Sequence, residues 1–334
     1  MLRLLLCLTL SLFPLAGQQK KILVFGLSPD EIGQLQSAAP QARILGIKDS
    51  QAMAEIADAN AVIGHITPEL VRAGRKLEWF HCSSAGVENY LLKAPPDLKN
   101  SNITVTNARI IQGPEIADHA MALLLALTRG LYRAIPGRDK EDWVPKGYKA
   151  VELNGKTAVV IGVGGIGTQI ATRAGGFGMK VIGVDPKDLP YMPFLVKVVK
   201  PDQLDEVIPL ADVVFISAPH TALSEKMMSS RHFDMMKKGS YFVAVSRGKV
   251  YDMGGLVRAL DSQRLAGAGV DVTDPEPLPK GHPLWKFENA IITPHIATIS
   301  DQIRGRWMEV ARENVKRFSE GRPLLNVVDK QKGY

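Results

Sequence analysis

Three polar side chains in the second half of the chain come just past the ends of the strands predicted at 241–245, 268–272 and 290–292: Arg247, Glu276 and His295. In an open α/β sheet, the carboxyl ends of the strands are where the active site lies. An arginine there can bind a carboxylate through two hydrogen bonds, and a histidine can carry the proton that accompanies a hydride. A glutamate beside that histidine would stabilise its imidazolium form. Taken singly, each residue also has an ordinary structural interpretation. Arg247 could form a surface ion pair, Glu276 could be a turn residue between two prolines, and His295 could be a loop histidine with its hydrogen bonds satisfied.

The stretch from Thr157 to Asp185 has the pattern of a dinucleotide-binding unit: an apolar run, a glycine turn, a helical stretch and a second apolar run. Gly162 allows the tight turn, Gly164 lets the backbone approach a pyrophosphate, and Gly167 lets the helix pack against the strand. Asp185 comes 185 − 167 = 18 residues after the last glycine, where an acid binds the adenosine ribose and repels a 2′-phosphate. The pattern therefore predicts NAD as the cofactor, with NADP less favoured. A glycine turn without a ligand is the alternative, but it does not explain the spaced acid.

Short strands alternate with helices along nearly the whole chain, which predicts parallel sheets covered by helices on both faces. The predicted fold class is α/β, with two Rossmann-like or flavodoxin-like parallel-sheet domains and a cleft between them. The predicted substrate domain is discontinuous and comprises residues 18–108 and 299–334, and residues 109–298 form the predicted NAD-binding Rossmann domain. In the first domain, the small residues at 83–88 follow a strand and could hold an anion by their N–H groups, although spacing alone favours an ordinary loop.

Composition argues against several classes of protein. The 334 residues carry a formal net charge of +7 with scattered basic residues, so an anionic small molecule is a better expected partner than nucleic acid. No histidine or cysteine spacing typical of a metal site occurs, so no metal is predicted. Residues 1–17 combine a basic start, an apolar run and small residues, which is typical of a secretory signal peptide. The predicted location is periplasmic or secreted, and the alternatives are an uncleaved anchor or a cytoplasmic protein with a mis-assigned start.

Six segments, in order along the chain, resemble the D-isomer-specific 2-hydroxyacid dehydrogenase family: 161–167, 184–186, 211–219, 246–248, 269–277 and 293–297. The resemblance spans roughly residues 22–328. It implies two lobes with a cleft that closes by a hinge motion, and a homodimer built largely from the region 113–131. It also implies 2-oxo and 2-hydroxy acids as substrates.

The resemblance implies a role for each site residue. Arg247 would bind the substrate carboxylate and carbonyl oxygen, and His295, paired with Glu276, would be the general acid/base. The implied nucleotide contacts are Gly165 and Ile166 at the pyrophosphate, Val245 and Ser246 at the nicotinamide, and Asp271 at its carboxamide side. The backbone N–H groups of Ala85, Gly86 and Val87 would hold the substrate carboxylate.

Some residues depart from the family's usual pattern. Ala244 stands where asparagine is usual, Ser217 stands where histidine or a similar polar residue is common, and residues 296–298 replace glycines. These departures concern the surroundings of the cofactor and leave substrate choice open. Glu276 argues against the formate-dehydrogenase-like branch, which has an amide at that position.

The predicted function is that of an NAD-dependent oxidoreductase that interconverts a 2-oxo acid and a D-2-hydroxy acid by hydride transfer. The alternatives are an NAD-sensing, corepressor-like binding protein and an envelope redox protein that holds NAD tightly. The walls of the substrate pocket are expected from the loops around Ser83, Gln112 and His119. The identity of the substrate side group and the physiological direction stay open.

Overall fold

The protein, described here by a computed structural model that covers residues 19–141, Trp143 and 149–334, is built on two parallel sheets. The first sheet contains β1 (Lys21–Phe25), β2 (Arg43–Ile47), β3 (Ala61–Gly64), β4 (Trp79–Cys82) and β5 (Thr104–Thr106), in the spatial order β2-β1-β3-β4-β5. The signal peptide predicted at residues 1–17 lies outside the described residues and stays a prediction.

The second sheet has seven strands. They are β6 (Thr157–Ile161), β7 (Lys180–Val184), β8 (Leu195–Val199), β9 (Val213–Ile216), β10 (Ser240–Ala244), β11 (Leu265–Val270) and β12 (Ala290–Ile292), in the spatial order β12-β11-β10-β9-β6-β7-β8. The central strands β9 and β10 are buried along their whole length, which is why they are almost continuously apolar rather than alternating. The predicted fold class is confirmed.

Helices cover the sheets. Those before the second sheet are α1 (Pro29–Ala38), α2 (Asp49–Glu55), α3 (Pro68–Ala73), α4 (Glu88–Leu91), α5 (Asp97–Asn100), α6 (Gly113–Thr128) and α7 (Leu131–Gly137). Those that follow are α8 (Gly165–Gly176), α9 (Leu204–Val207), α10 (Ser230–Met235), α11 (Met253–Asp261) and α12 (Ile303–Ser319). In the described ranges, no helix has both the length and the apolar composition needed to cross a bilayer.

Local sequence explains several helix ends. At the start of α1, the Ser28 hydroxyl accepts a hydrogen bond from the Glu31 N–H and the Glu31 carboxylate accepts one from the Ser28 N–H, which forms a capping box. The long helix predicted at 113–131 instead ends at Thr128. Gly130 adopts a left-handed conformation with φ of 61°, and α7 begins immediately after it.

The last helix, α12, packs against the first sheet rather than the second. Its buried residues Trp307 and Val315 belong to the same core cluster as Ile22 and Trp79. Arg304 near its start also pairs with Glu31 of α1, with Nη2 2.7 Å from the carboxylate. The chain therefore leaves the first sheet after β5 and returns to it at α12.

Both sheets have a point where the strand order reverses, and in such sheets ligands bind there, at the carboxyl ends of the strands. In the second sheet, β7 and β8 lie on one side of β6 and β9 lies on the other. In the first sheet, β1 lies between β2 and β3, and a concavity of about 620 Å³ opens at the strand ends there.

Candidate active site

The turn between β6 and α8 has the shape that the glycine pattern predicts. Gly162 has φ of +89°, a conformation that side chains disfavour. A β-carbon at Gly167 would lie 1.9 Å from the Gly162 carbonyl oxygen, so any side chain there would push α8 away from the strand. A β-carbon at Gly164 would meet nothing within 4 Å, so the space in front of the turn is open. The open space and the close packing behind it fit a bound dinucleotide.

Gly165 and Ile166 form the first turn of α8, whose N–H groups have no partner within the helix and favour anions. Gly165 also packs closely against the backbone of Ile110, because a β-carbon on Gly165 would lie 2.6 Å from the Ile110 Cα. Gly165 is therefore required by packing against the segment that connects the two sheets, whether or not a pyrophosphate is bound.

Asp185 lies beside the glycine turn, at the end of β7, and is buried. One of its carboxylate oxygens accepts a hydrogen bond from the Val163 N–H and the other from the Lys187 N–H, both at 2.9 Å. A carboxylate has acceptor sites beyond these two. The structure thus brings the predicted ribose-binding acid to the turn and fixes its orientation.

Val245 and Ser246 follow β10 and are both buried. In the described part of the chain, the Ser246 hydroxyl is one of the few buried side-chain groups without a hydrogen-bond partner. A buried polar group without a partner costs free energy, so this hydroxyl is suited to a bound polar ligand.

Asp271 comes directly after β11 and is almost fully buried, with its carboxylate surrounded by donors. It accepts hydrogen bonds from the Thr293 hydroxyl at 2.6 Å, the Ile296 N–H at 2.9 Å and the Ala297 N–H at 3.0 Å. His119 of α6 adds a contact, with Nε2 2.9 Å from the Thr293 hydroxyl and 3.5 Å from Asp271. The carboxylate therefore fixes the loop that carries His295, a role that its spacing in the sequence did not reveal. Its predicted contact with a nicotinamide stays a prediction.

His295 and Glu276 lie side by side, in the segments that follow β12 and β11. Nδ1 of His295 is 3.0 Å from one Glu276 oxygen, and the other oxygen accepts the Thr273 N–H at 2.9 Å. His295 itself has φ of +55°, and its N–H donates to the Asp271 carbonyl at 2.9 Å. The glutamate therefore orients the imidazole through Nδ1 and leaves Nε2 available for a ligand.

Arg247 follows β10 and reaches across to the first sheet. Its Nε donates to the Glu88 carboxylate at 2.6 Å, and its Nη1 donates to the Ser246 carbonyl at 2.7 Å. Burial alone would raise the pKa of the Glu88 carboxyl, but the adjacent Arg247 charge and hydrogen bond outweigh burial and hold that pKa below its usual value. Sequence reasoning assigned Glu88 no role, because its partner is 159 positions away.

The loop 83–88 lies next to this arginine, as a β-carbon at Gly86 would be 2.1 Å from Arg247 Nη2. Ala85 differs from the expectation for this loop, because its N–H already donates to Gln112 Oε1 at 3.3 Å. The N–H groups of Gly86 and Val87 make no hydrogen bond within the described ranges. The structure thus leaves two of the three predicted anion-binding N–H groups free.

The strand order explains why these groups meet. Strands β10, β11 and β12 are neighbours, and Arg247, Asp271 and His295 follow them in that order. Parallel strands end on one edge, so the three residues share that edge. In the described ranges, no group of three or more His, Cys, Asp or Glu side chains is arranged to hold a metal ion.

Comparison with known proteins shows what this chain is similar to. Residues 121–297 match the model of the D-isomer specific 2-hydroxyacid dehydrogenase, NAD binding domain. A glyoxylate reductase of Korarchaeum cryptofilum is 31% identical over 293 residues, which cover 83% of this chain and 84% of the relative. A D-3-phosphoglycerate dehydrogenase of Methanocaldococcus jannaschii is 29% identical over 308 residues, 90% of this chain but only 56% of the relative. The chain therefore spans about half the length of that relative.

A solved structure agrees with these matches over the whole fold. The D-isomer specific 2-hydroxyacid dehydrogenase family protein from Aeromonas salmonicida is 29% identical, with a TM-score of 0.77 over 94% of this chain and 100% of that chain. The match includes the first sheet, which lies outside the matched model of the NAD-binding domain. By sequence and by fold, this chain belongs to the D-isomer specific 2-hydroxyacid dehydrogenase family.

Proposed function

We propose that this protein is an NAD-dependent oxidoreductase that interconverts a 2-oxo acid and a D-2-hydroxy acid. The observation that carries the proposal is the His295–Glu276 pair on the same sheet edge as Arg247, beside a dinucleotide-type turn. An anion-binding group, an oriented acid/base and a cofactor turn together are what reduction of a 2-oxo acid requires.

His295 is the proposed general acid. Its Nδ1 is held by Glu276 at 3.0 Å, so a proton on Nε2 can pass to the carbonyl oxygen of the substrate. The glutamate stabilises the imidazolium form that makes this donation. When bound, the nicotinamide supplies the hydride that reduces the carbonyl carbon.

Arg247 is the proposed anchor of the substrate. Its outer guanidinium N–H groups bind the carboxylate and stabilise the charge that develops on the carbonyl oxygen. The free N–H groups of Gly86 and Val87 add donors for the same carboxylate. The concavity at the end of the first sheet, lined in part by Phe25, His65 and Ser83, adjoins this loop and is where we place the substrate side group.

We propose NAD rather than NADP as the cofactor, held by the first turn of α8 and by Asp185. A buried carboxylate at the ribose position would repel a 2′-phosphate. The proposed division of the chain assigns residues 18–108 and 299–334 to a substrate domain and residues 109–298 to the NAD-binding domain. Packing of α12 on the first sheet supports this division. The homodimer stays a prediction, and the exposed Leu131 and Ile135 of α7 are apolar groups that a partner subunit could cover.

The test is oxidation of NADH by the purified protein with glyoxylate, hydroxypyruvate, pyruvate, phenylpyruvate and branched 2-oxo acids, and with NADPH as the comparison. We expect turnover with at least one of these acids and a lower kcat/KM with NADPH. Tight NADH binding without turnover of any 2-oxo acid would instead favour a nucleotide-sensing protein.

A further inference from the structure

We infer that Glu88 is a positioning residue that sets the orientation of Arg247 for its substrate, an inference that rests on the proposed function. The Glu88 carboxylate receives the Arg247 Nε–H at 2.6 Å, and the two side chains retain 8% and 29% of their exposure. A charge-assisted hydrogen bond this short and this buried fixes a guanidinium more firmly than a surface ion pair does.

The contacts of Arg247 show which of its N–H groups are left for a ligand. Nε is used by Glu88, and one N–H of Nη1 is used by the Ser246 carbonyl at 2.7 Å. Nη2 lies against Gly86, where a β-carbon would approach to 2.1 Å. Nη2 therefore lies beside the loop whose Gly86 and Val87 N–H groups are free. Because Glu88 occupies Nε, a substrate carboxylate can bind only at the Nη1 and Nη2 end.

The ion pair also connects the two sheets. Glu88 is the first residue of α4, which follows the first sheet's β4, whereas Arg247 follows β10 of the second sheet. The arginine consequently reaches its working orientation only when the first sheet presents Glu88 to it. Without this acid, a half-buried guanidinium with an unpaired Nε would turn toward other acceptors, and the substrate would lose its anchor.

The chain offers a matched control. Glu115 and Arg306 form an ion pair of the same length, 2.6 Å, with side-chain exposures of 6% and 30%. This pair joins α6 to α12 and includes neither Arg247 nor the loop 83–88. Removal of either acid breaks an equally buried ion pair, but only one of the two changes affects Arg247.

The experiment compares Glu88→Ala, Glu88→Gln and Glu115→Ala with the wild type, using the best 2-oxo acid from the screen. KM for the 2-oxo acid, KM for NADH and the Tm are measured for each protein. For Glu88→Ala we expect KM for the 2-oxo acid to rise on the order of tenfold or more, the scale of a lost hydrogen bond to a charged group, while KM for NADH stays unchanged. Glu88→Gln keeps an acceptor for Nε, so its KM should stay within about threefold of the wild type. Glu115→Ala should lower the Tm without raising KM for the 2-oxo acid.

Gly86→Ala provides a second route to the same answer if Glu88→Ala does not fold. Its added methyl group would lie 2.1 Å from Arg247 Nη2 and 2.5 Å from Glu88 Oε2, so it forces the two partners of the ion pair apart while the acid stays in the chain, and KM for the 2-oxo acid should rise again. An unchanged KM in a folded Glu88→Ala protein, or an equal rise in Glu115→Ala, would overturn the role of Glu88 and leave the proposed function intact. If Glu88→Ala does not fold, an unchanged KM in Gly86→Ala would overturn it. A wild-type protein that turns over no 2-oxo acid would overturn the proposed function, and this inference with it.

Discussion

At the scale of single residues, the site depends on acids that hold basic groups in place. Glu276 fixes His295 through Nδ1, Glu88 fixes Arg247 through Nε, and Asp271 fixes the loop that carries the histidine. Each acid restricts the orientation of the group that it holds. Glu276 leaves Nε2 of His295 available to a ligand, and Glu88 leaves the Nη1 and Nη2 end of Arg247 available. This arrangement pre-organises the site before substrate arrives.

The proposed general acid can be tested by His295→Ala. We expect the rate of 2-oxo acid reduction to fall on the order of 100-fold or more, because the developing alkoxide loses its proton donor. The control is His232→Ala, which removes a histidine of α10 that is paired with Asp205 at the same 3.0 Å separation and whose other polar contact is Ser229. Stopped-flow or steady-state NADH oxidation measures both, and near-native turnover by His295→Ala would remove this residue from the mechanism.

At the scale of elements, the β6–α8 unit shows how a glycine pattern becomes a binding surface. The helix can start close to the strand only because Gly167 has no side chain near the Gly162 carbonyl. That close approach brings the first-turn N–H groups of α8 to the open space in front of Gly164. The absence of a side chain at Gly167 therefore accounts both for the close packing of α8 on the strand and for the position of its first-turn N–H groups.

Alanine substitutions at two glycines of α8, Gly167 and Gly176, distinguish the steric effect of the close helix–strand contact from the general effect of replacing glycine by alanine. Gly167→Ala should lower the free energy of unfolding by about 1–3 kcal/mol, the usual range for overpacking, and should weaken NADH binding. Gly176→Ala lies in the same helix, where a β-carbon meets nothing within 4 Å, and should be neutral or stabilising by a few tenths of a kcal/mol up to about 1 kcal/mol. Thermal unfolding and NADH fluorescence titration give both quantities. Equal effects from the two substitutions would contradict the steric account.

At the scale of the whole molecule, the first sheet is closed by α12, which arrives from the other end of the chain. Fully buried His81 lies at this junction, with Nδ1 2.8 Å from the Thr106 hydroxyl and its ring 5.8 Å from that of Trp307. Burial lowers the pKa of His81 to about 4, because a charged imidazolium would lose its water there. The folded state therefore needs a neutral His81.

This requirement predicts how stability depends on pH. In the unfolded chain the histidine takes up a proton near its ordinary pKa of about 6.5, whereas the folded chain resists protonation until about pH 4. The contribution of neutral His81 to the free energy of unfolding is thus fully present above pH 6.5. This contribution falls by about 3 kcal/mol in all as the pH decreases toward 4. Urea unfolding from pH 7.5 to 4.5 should show a shallower loss of stability for His81→Gln than for the wild type. Parallel pH curves for the two proteins would show that His81 does not account for the loss.

The sequence by itself determined the parts of this protein that depend on local order along the chain. Strand and helix alternation predicted the α/β class, and glycine spacing with a distant acid predicted the turn at Gly162 and the position of Asp185 beside it. The strand ends in the second half placed Arg247 and His295 on one edge of the sheet, because parallel strands end at one edge. These inferences succeed because backbone sterics and sheet geometry act over short stretches of sequence.

Only the tertiary structure decided the contacts between residues that are far apart along the chain. The pairing of Glu88 with Arg247, the use of the Ala85 N–H by Gln112, and the buried place of His81 against Trp307 all join residues that no local pattern connects. The sequence contains the same residues, but their partners depend on how the segment after β5 connects the two sheets and on where α12 packs. Packing between distant parts of the chain, rather than periodicity, is therefore what turns a predicted set of reactive groups into a site with defined geometry.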